Sequence, residues 1–237
     1  MSEPPHHAHL LPSLQSMLAL TSIALFFITF TFQPFRIPSA SMEPTLLVGD
    51  FLLVDKQAAA DDLGILPGGD LHRGDVIVFH DPVDPALHLV KRIVGLPGDR
   101  VRLRGGRVVV NGQVLEEPYA VYRGGAANLY RDNFPNAPSP DSDVDPAWWI
   151  RLRGLVNHGE LQIPPGNFFV LGDNRDDSLD SRYWGFVPRA AIVGKPFLIY
   201  LSLRVRDNDP ESEPERVVVP NPLLRFARWN RTLTVIH

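Results

Sequence analysis

A mainly β body behind an apolar N-terminal segment is the fold class that this sequence predicts, and three observations predict it. No Asp, Glu, Lys or Arg occurs between Glu3 and Arg36. Beyond Arg36 the continuous apolar run gives way to short alternating segments, the period of half-buried strands. Pro and Gly number 23 and 18, about 17% of the chain, which favours short strands and turns over long helices. The length of 237 residues suits one compact domain with insertions or two small ones. At 44% hydrophobic and 21% charged residues, the chain has apolar material enough for a core. A formal net charge of −4 is no footprint for nucleic acid, which asks for a strongly basic face. The absence of cysteine excludes Cys-rich zinc sites, iron–sulfur clusters, disulfides and cysteine nucleophiles.

The elements follow in order. Residues 1–13 read as a tail, with His6, His7 and His9 solvated rather than metal-binding. Met17 to Phe32, extended back to Leu14, reaches about the 20 residues of a bilayer-spanning helix. A transmembrane anchor over 14–33 is therefore expected, although Thr21, Ser22, Thr29 and Thr31 dilute it. A cleaved signal peptide ending near Ser39-Ala40-Ser41 and a buried core helix are the competing readings. The nearest Lys or Arg, Arg36, lies on the C-terminal side, so charge alone leaves the orientation open.

Phe51–Asp55, Asp75–Phe79, Leu89–Val94, Val101–Arg104 and Arg107–Val110 read as strands. Gly105-Gly106 and Asn111-Gly112 are two-residue hairpin signals, with Gln113-Val114-Leu115 beyond the second. Asn167–Leu171 and Phe197–Leu203 read as buried strands. Pro118 to Pro165 holds seven prolines and an acidic stretch from Asp141 to Asp145. It reads as a loop-rich insertion whose Trp148-Trp149 pair packs a small core of its own. Arg206 to Glu215 is a charged linker. The tail Leu223–Ile236, with Arg225, Arg228 and Arg231 among apolar residues, suits either a basic amphipathic helix at a lipid surface or packing on the body.

Three segments carry polar groups that suit chemistry. In Pro38-Ser39-Ala40-Ser41-Met42-Glu43-Pro44-Thr45, the prolines favour extended backbone, in which Ser39 and Ser41 face the same way. One hydroxyl then attacks while the other donates to a developing oxyanion. A serine nucleophile needs a base. His72, His80 and His88 are evenly spaced but lack a carboxylate pattern, and read as surface histidines. Lys91 sits in the apolar strand Leu87-His88-Leu89-Val90-Lys91-Arg92-Ile93-Val94. Alternation puts either Lys91 or Arg92 on the more buried face. An ordinary lysine, with a pKa of about 10.4, is a poor base at neutral pH, and burial lowers that value. Arginine stays charged and is no substitute. The bland alternative is a lysine whose head snorkels outward. The third segment, Gly172 to Gly185, is rich in Asp. It fails as a calcium loop, with no glycine at the sixth position from Asp173 and no glutamate at the twelfth. Asp173–Arg175 and Asp180–Arg182 pairs bracing a rigid turn are the expectation instead.

Taken together and in order, these segments resemble the bacterial type I signal peptidases, membrane-bound serine proteases with a Ser–Lys dyad. Pro38 to Thr45 looks like the nucleophile motif of that family. Gly49 to Lys56 and Arg73 to Phe79 resemble its strand motifs, Lys91 to Asp99 its lysine motif, and Gly172 to Pro188 its last motif. The resemblance implies Ser41 as nucleophile and Lys91 as general base. It implies an oxyanion hole from the Ser39 hydroxyl and the Ser41 backbone N–H. Ser178 would hydrogen-bond and orient Lys91, Asp180 and Arg182 would brace the site, and Asp173 and Arg175 would shape its loop. Asp177 stands where the family commonly has Asn, and Ser181 would be a spare hydroxyl.

The resemblance further implies an all-β signal-peptidase-like catalytic core behind the anchor, in two parts, 36–117 and 166–205. An inserted loop-rich subdomain at 118–165 and a linker and tail at 206–237 complete the chain. It implies no metal or other cofactor. The partners would be signal-peptide-bearing preproteins with small residues at −1 and −3 and the lipid bilayer. The place would be the inner membrane, single-pass, with the catalytic domain on the extracytoplasmic face. A self-cleaving repressor of the SOS-response type shares the dyad but would carry a DNA-binding domain in place of the anchor. A non-catalytic, membrane-tethered binding module of the same fold is the remaining alternative.

Overall fold

The structure is a computed structural model and describes residues 10–59, 69–123, 127–204 and 226–236. The expected tail histidines His6, His7 and His9 and the linker Arg206 to Glu215 lie outside the described residues. Helix α1 (Leu10–Thr31) leads into strand β1 (Phe32–Arg36). Among the described residues, no helix is long and apolar enough to cross a membrane.

The body is built from antiparallel strands: β2 (Asp50–Asp55), β3 (Val76–His80), β4 (His88–Gly95), β5 (Arg100–Arg104), β6 (Arg107–Val110) and β7 (Gln113–Val114). Two short helices follow, α2 (Leu129–Asp132) and α3 (Pro146–Leu155). Then come β8 (Val156–Asn157), β9 (Glu160–Gln162), β10 (Asn167–Leu171), α4 (Ser181–Trp184), β11 (Val187–Pro188), β12 (Ile192–Ser202) and β13 (Thr234–Val235). One sheet runs β1-β2-β12-β3-β4-β10-β11, with β13 added to β12, and a second runs β7-β6-β5-β9-β8.

The hairpin turns have the expected chemistry. Gly105 and Gly106 both have positive φ, at 55° and 79°, and so do Asn111 and Gly112, at 51° and 81°. This is the backbone that two-residue hairpins require, and it joins β5 to β6 and β6 to β7.

Two departures from expectation have physical reasons. Strand β12 begins at Ile192 rather than Phe197. Gly194 and Pro196 look like strand breakers, but both are paired. A Cβ at Gly194 would lie 2.2 Å from the Asp55 carbonyl oxygen, so only glycine lets β12 approach β2 there. Pro196 stands opposite Val54, beside a register shift that relieves the missing donor. Second, α3 is a ten-residue helix inside the expected loop-rich stretch. Asp145 caps it by accepting from Trp148 N at 2.7 Å, and Pro146 opens its first turn. Trp148 does not pack a core private to residues 118–165. It joins Val94, Val101, Phe169 and Leu171 from the strands in one cluster with Tyr130, Phe134 and Phe186.

The tail takes the second of its two expected readings. Residues 226–236 form turns and β13 rather than a helix, and they pack on the body. Arg231 donates to the Thr45 carbonyl at 2.9 Å and to Asp50 Oδ2 at 2.6 Å. Asp50 is fully buried and also accepts from Ser202 Oγ at 2.5 Å and Leu47 N at 2.9 Å. Removing the guanidinium leaves a buried carboxylate short of its cation. Arg231→Ala is expected to lower the unfolding free energy by about 1–3 kcal/mol. Thermal unfolding of the purified variant checks this, and an unchanged midpoint would show that Ser202 and Leu47 satisfy Asp50 alone.

Candidate active site

The Ser39–Ser41 segment does not stay extended as the prolines suggested. Ser39 is extended, with φ −129° and ψ 157°, but Ala40–Met42 closes a 3-10 turn sealed by Glu43 N donating to the Ala40 carbonyl at 3.0 Å. The two hydroxyls still meet, with Ser39 Oγ 3.3 Å from Ser41 Oγ. The turn is pinned from below by Met42 and Leu46, both in the core.

Strand β4 supplies the amine. Alternation predicted one buried basic residue, yet Lys91 and Arg92 are both buried, at 4% and 3% exposure. The strand is covered on both faces here, and each side chain finds its own solution. Arg92 is neutralised by Asp173, donating from Nε and Nη2 at 2.9 and 2.7 Å. It also donates to the Gly74 carbonyl at 2.7 Å and lies over the Tyr119 ring, 3.9 Å from its centroid. Among the described residues, Lys91 has no such counter-ion at contact distance. Its Nζ donates to Ser41 Oγ at 2.6 Å.

Burial is the main influence on Lys91 and pulls its pKa from 10.5 down to about 8. Asp180, Asp173 and Asp81 oppose that fall, while Arg182 assists it. About a tenth of the amines are then neutral at pH 7 and about nine tenths at pH 9. In the neutral form the contact runs the other way, with Ser41 Oγ–H donating to the nitrogen lone pair.

The loop after β10 encloses the pair. Asp180 is fully buried and accepts from Arg182 Nε and Nη2, both at 2.8 Å, and from Gly172 N at 3.1 Å. Burial pushes Asp180 up, but the Arg182 charge and these hydrogen bonds outweigh it and hold the carboxyl below its ordinary value. Arg182 also donates to the Arg175 carbonyl at 3.0 Å.

The expected Asp173–Arg175 pair does not form. Asp173 takes Arg92 and the Thr45 hydroxyl, which donates at 2.5 Å. Arg175 makes a two-pronged pair with Glu117, at 2.7 and 2.5 Å. Two residues apart in sequence, they take different partners far along the chain. Ser178 is not hydrogen-bonded to Lys91: its Oγ is buried without a partner. Ser181 has a framework task, its Oγ accepting from Val170 N at 2.9 Å. The His80 and His88 rings stand 4.4 Å apart across β3 and β4. Among the described residues, no three His, Cys, Asp or Glu side chains are grouped to hold a metal ion.

Several residues of the site were missed from the sequence. Glu117, Tyr119, Val121 and Tyr122 form a strap over the 172–178 loop. Val121 N donates to the Asp173 carbonyl at 2.8 Å and Arg175 N to the Val121 carbonyl at 3.0 Å. Burial raises the Tyr119 hydroxyl to about 12. Asn174 reaches back to the turn holding Ser41, its N donating to the Ser41 carbonyl at 3.1 Å and its Nδ2 to the Ala40 carbonyl at 3.2 Å. Thr45 and Arg92 lay inside stretches already singled out, but nothing local revealed their shared partner.

A mainly antiparallel β body with a buried serine held against a buried, easily neutralised lysine has the arrangement that a serine endopeptidase needs. Comparison with known proteins supplies the family. The family model described as signal peptidase, peptidase S26, matches residues 10–201. Signal peptidase I of Pseudomonas aeruginosa is 39% identical over 210 residues, covering 79% of this chain and 71% of that protein. Signal peptidase I of Aquifex aeolicus is 34% identical over 226 residues, covering 82% of this chain and 86% of that one. A crystal structure of a signal peptidase I from Enterococcus faecalis is 32% identical, with a TM-score of 0.39, over 53% of this chain and 96% of that chain. The chain belongs to the bacterial type I signal peptidases of the peptidase S26 family.

Proposed function

We propose that this protein removes signal peptides from exported preproteins with Ser41 as nucleophile and Lys91 as general base. The observation that carries the assignment is the 2.6 Å contact between Ser41 Oγ and a lysine whose pKa burial has brought to about 8. Neutral Lys91 takes the Ser41 proton as Oγ attacks the scissile carbonyl. The Ser41 N–H and the Ser39 hydroxyl donate to the oxyanion, each worth about 2.7–4 kcal/mol in comparable sites. The Lys91 ammonium then returns the proton to the departing amine. A water, deprotonated by Lys91, attacks the acyl-enzyme and frees Ser41. Asp180 and Arg182 brace the lysine side, while Asp173 and Arg175 hold the loop. The substrates are preproteins with small residues at −1 and −3.

In the same reading α1 is a single-pass anchor that keeps the catalytic body on the extracytoplasmic face of the inner membrane. Its 22 residues give a length of about 33 Å. Thr21 and Ser22 return their hydroxyls to the carbonyls of Met17 and Leu18 at 2.8 and 2.9 Å, so these groups are satisfied within the helix. The catalytic core is divided between 36–117 and 166–205, with 118–165 inserted.

The test is cleavage of a preprotein with alanine at −3 and −1 by the purified full chain in detergent. Cleavage is expected at that junction, with a rate that rises about tenfold between pH 7 and pH 9 as Lys91 loses its proton. A bulky residue at −1 should block it. If folded protein leaves every preprotein intact, the tethered binding module takes over. If the rate is flat across that pH range, Lys91 is not the base.

A further inference from the structure

A peptide unit is planar and, when trans, points the carbonyl of one residue and the N–H of the next in opposite directions. Whatever holds the carbonyl end therefore aims the N–H end. The unit joining Ala40 to Ser41 is trans, and its carbonyl accepts from Asn174 Nδ2 at 3.2 Å and from Glu43 N at 3.0 Å. Its other end is the Ser41 N–H.

Asn174 is placed for this task more completely than a packing residue needs. It is fully buried. Its backbone N donates to the Ser41 carbonyl at 3.1 Å, so one residue grips two consecutive carbonyls of the nucleophile turn. A carbonyl only accepts, so the amide's NH2 must face Ala40 and its oxygen must face away. That oxygen, Oδ1, is buried without a partner. An apolar side chain would avoid this cost, so the amide is retained for what its NH2 holds. The grip is itself rigid. Val121 bridges the residues on either side of Asn174, and Asp177 N donates to the Asn174 carbonyl at 3.2 Å.

We propose that Asn174 is a positioning residue that aims the Ser41 N–H at the oxyanion by holding the far end of the same peptide unit. The inference rests on the reading of Ser41 as nucleophile and oxyanion donor. Without the Asn174 amide, the 40–41 unit keeps only its Glu43 tether and is free to rotate, which turns the N–H away from the developing charge. The oxyanion exists in the transition state and not in the bound substrate. The loss therefore falls on kcat and spares KM.

The experiment compares Asn174→Ala, Asn174→Asp and Ser41→Ala in the full chain, using a preprotein with alanine at −3 and −1. Asn174→Ala removes the donor, and Asn174→Asp keeps the shape but sets an acceptor against the Ala40 carbonyl. Both are expected to lower kcat by about 10–100-fold with KM within about threefold of wild type, and Asp should be the worse. The pH midpoint of Asn174→Ala should stay where wild type has it, because Lys91 is untouched. A purely space-filling role predicts a lowered melting temperature with kcat and KM of the folded protein unchanged, and that result would overturn the proposal. So would wild-type kcat in either variant, a loss confined to KM, or failure of both variants to fold. Full activity in Ser41→Ala would instead remove the underlying assignment of the nucleophile.

Discussion

Ser41→Ala is expected to reduce preprotein cleavage by on the order of 10⁴-fold or more, the range seen when a serine hydrolase loses its nucleophile. In the proposed mechanism the Ser41 oxygen is the only atom of the pair that bonds to the substrate, so no neighbour replaces it. Ser39 Oγ lies 3.3 Å from Ser41 Oγ, but the short lysine contact belongs to Ser41. Lys91→Met should be nearly as severe, because an unassisted serine hydroxyl is a weak nucleophile at neutral pH. The double variant should be little worse than either single one, since the two act as a unit. Lys91→Arg should not recover activity, because a guanidinium does not give up its proton.

Lys91→Met also separates chemistry from folding. Charged Lys91 is disfavoured by burial, and its pKa in the folded protein lies below the unfolded value. Between about pH 8 and pH 10.5 the unfolded chain binds more protons at this site, so its contribution to stability rises with pH there. Lys91→Met should lack that rise and melt no lower than wild type at pH 7. A Ser41→Ala protein that cleaves at the wild-type rate would sink the nucleophile assignment, and a Lys91→Met protein that does so would sink the base.

Gly172→Ala is the second large effect, and it comes from one methyl group. A Cβ at that position would lie 2.3 Å from Ser178 Oγ, 2.5 Å from the Ser41 carbonyl oxygen and 2.6 Å from Ser178 Cβ. No side-chain adjustment absorbs all three, because one contact is the backbone of the nucleophile itself. Overpacking of this kind costs about 1–3 kcal/mol, a tolerable loss for a domain of this size. The displacement matters more. Moving the Ser41 backbone by a fraction of an ångström misaligns hydroxyl, amine and N–H together, and an error of about 1 Å costs a reaction roughly 10²-fold. The variant should therefore remain folded, with a modestly lower melting temperature, and lose about ten- to a hundredfold in kcat/KM. Wild-type turnover in Gly172→Ala would mean that the loop gives way without disturbing Ser41.

The parts of this molecule that were legible in its sequence are those written in local patterns. Alternation marked most strands, Gly105-Gly106 and Asn111-Gly112 marked the hairpins, and the ordered motifs marked Ser39, Ser41 and Lys91. What local pattern does not carry is the identity of a partner far along the chain. Asp173 was matched to Arg175, two residues away, but the fold gives Asp173 to Arg92 and Arg175 to Glu117. Strand β12 was expected only from Phe197; nothing local showed that Gly194 lies against Asp55 and that Pro196 pairs with Val54. Helix α3 had its capping Asp145 and its Pro146 in plain view, but they were read as part of an acidic, proline-bearing stretch. Asn174 gave no signal, because its purpose is a contact with a residue 134 positions earlier.

The Arg231 bond to the Thr45 carbonyl spans 186 residues, and its bond to Asp50 spans 181. A ribosome makes the segment bearing Ser41 early and the residue that locks it late. Until Arg231 emerges, Asp50 is a carboxylate with no cation to accompany it into the interior, and the loop from Thr45 to Asp50 lacks its brace. Contacts of such high sequence separation form slowly, since the intervening chain must first be ordered. The brace on the Thr45–Asp50 loop can therefore form only after Arg231 has been synthesised, 181 to 186 residues behind the segment that it holds.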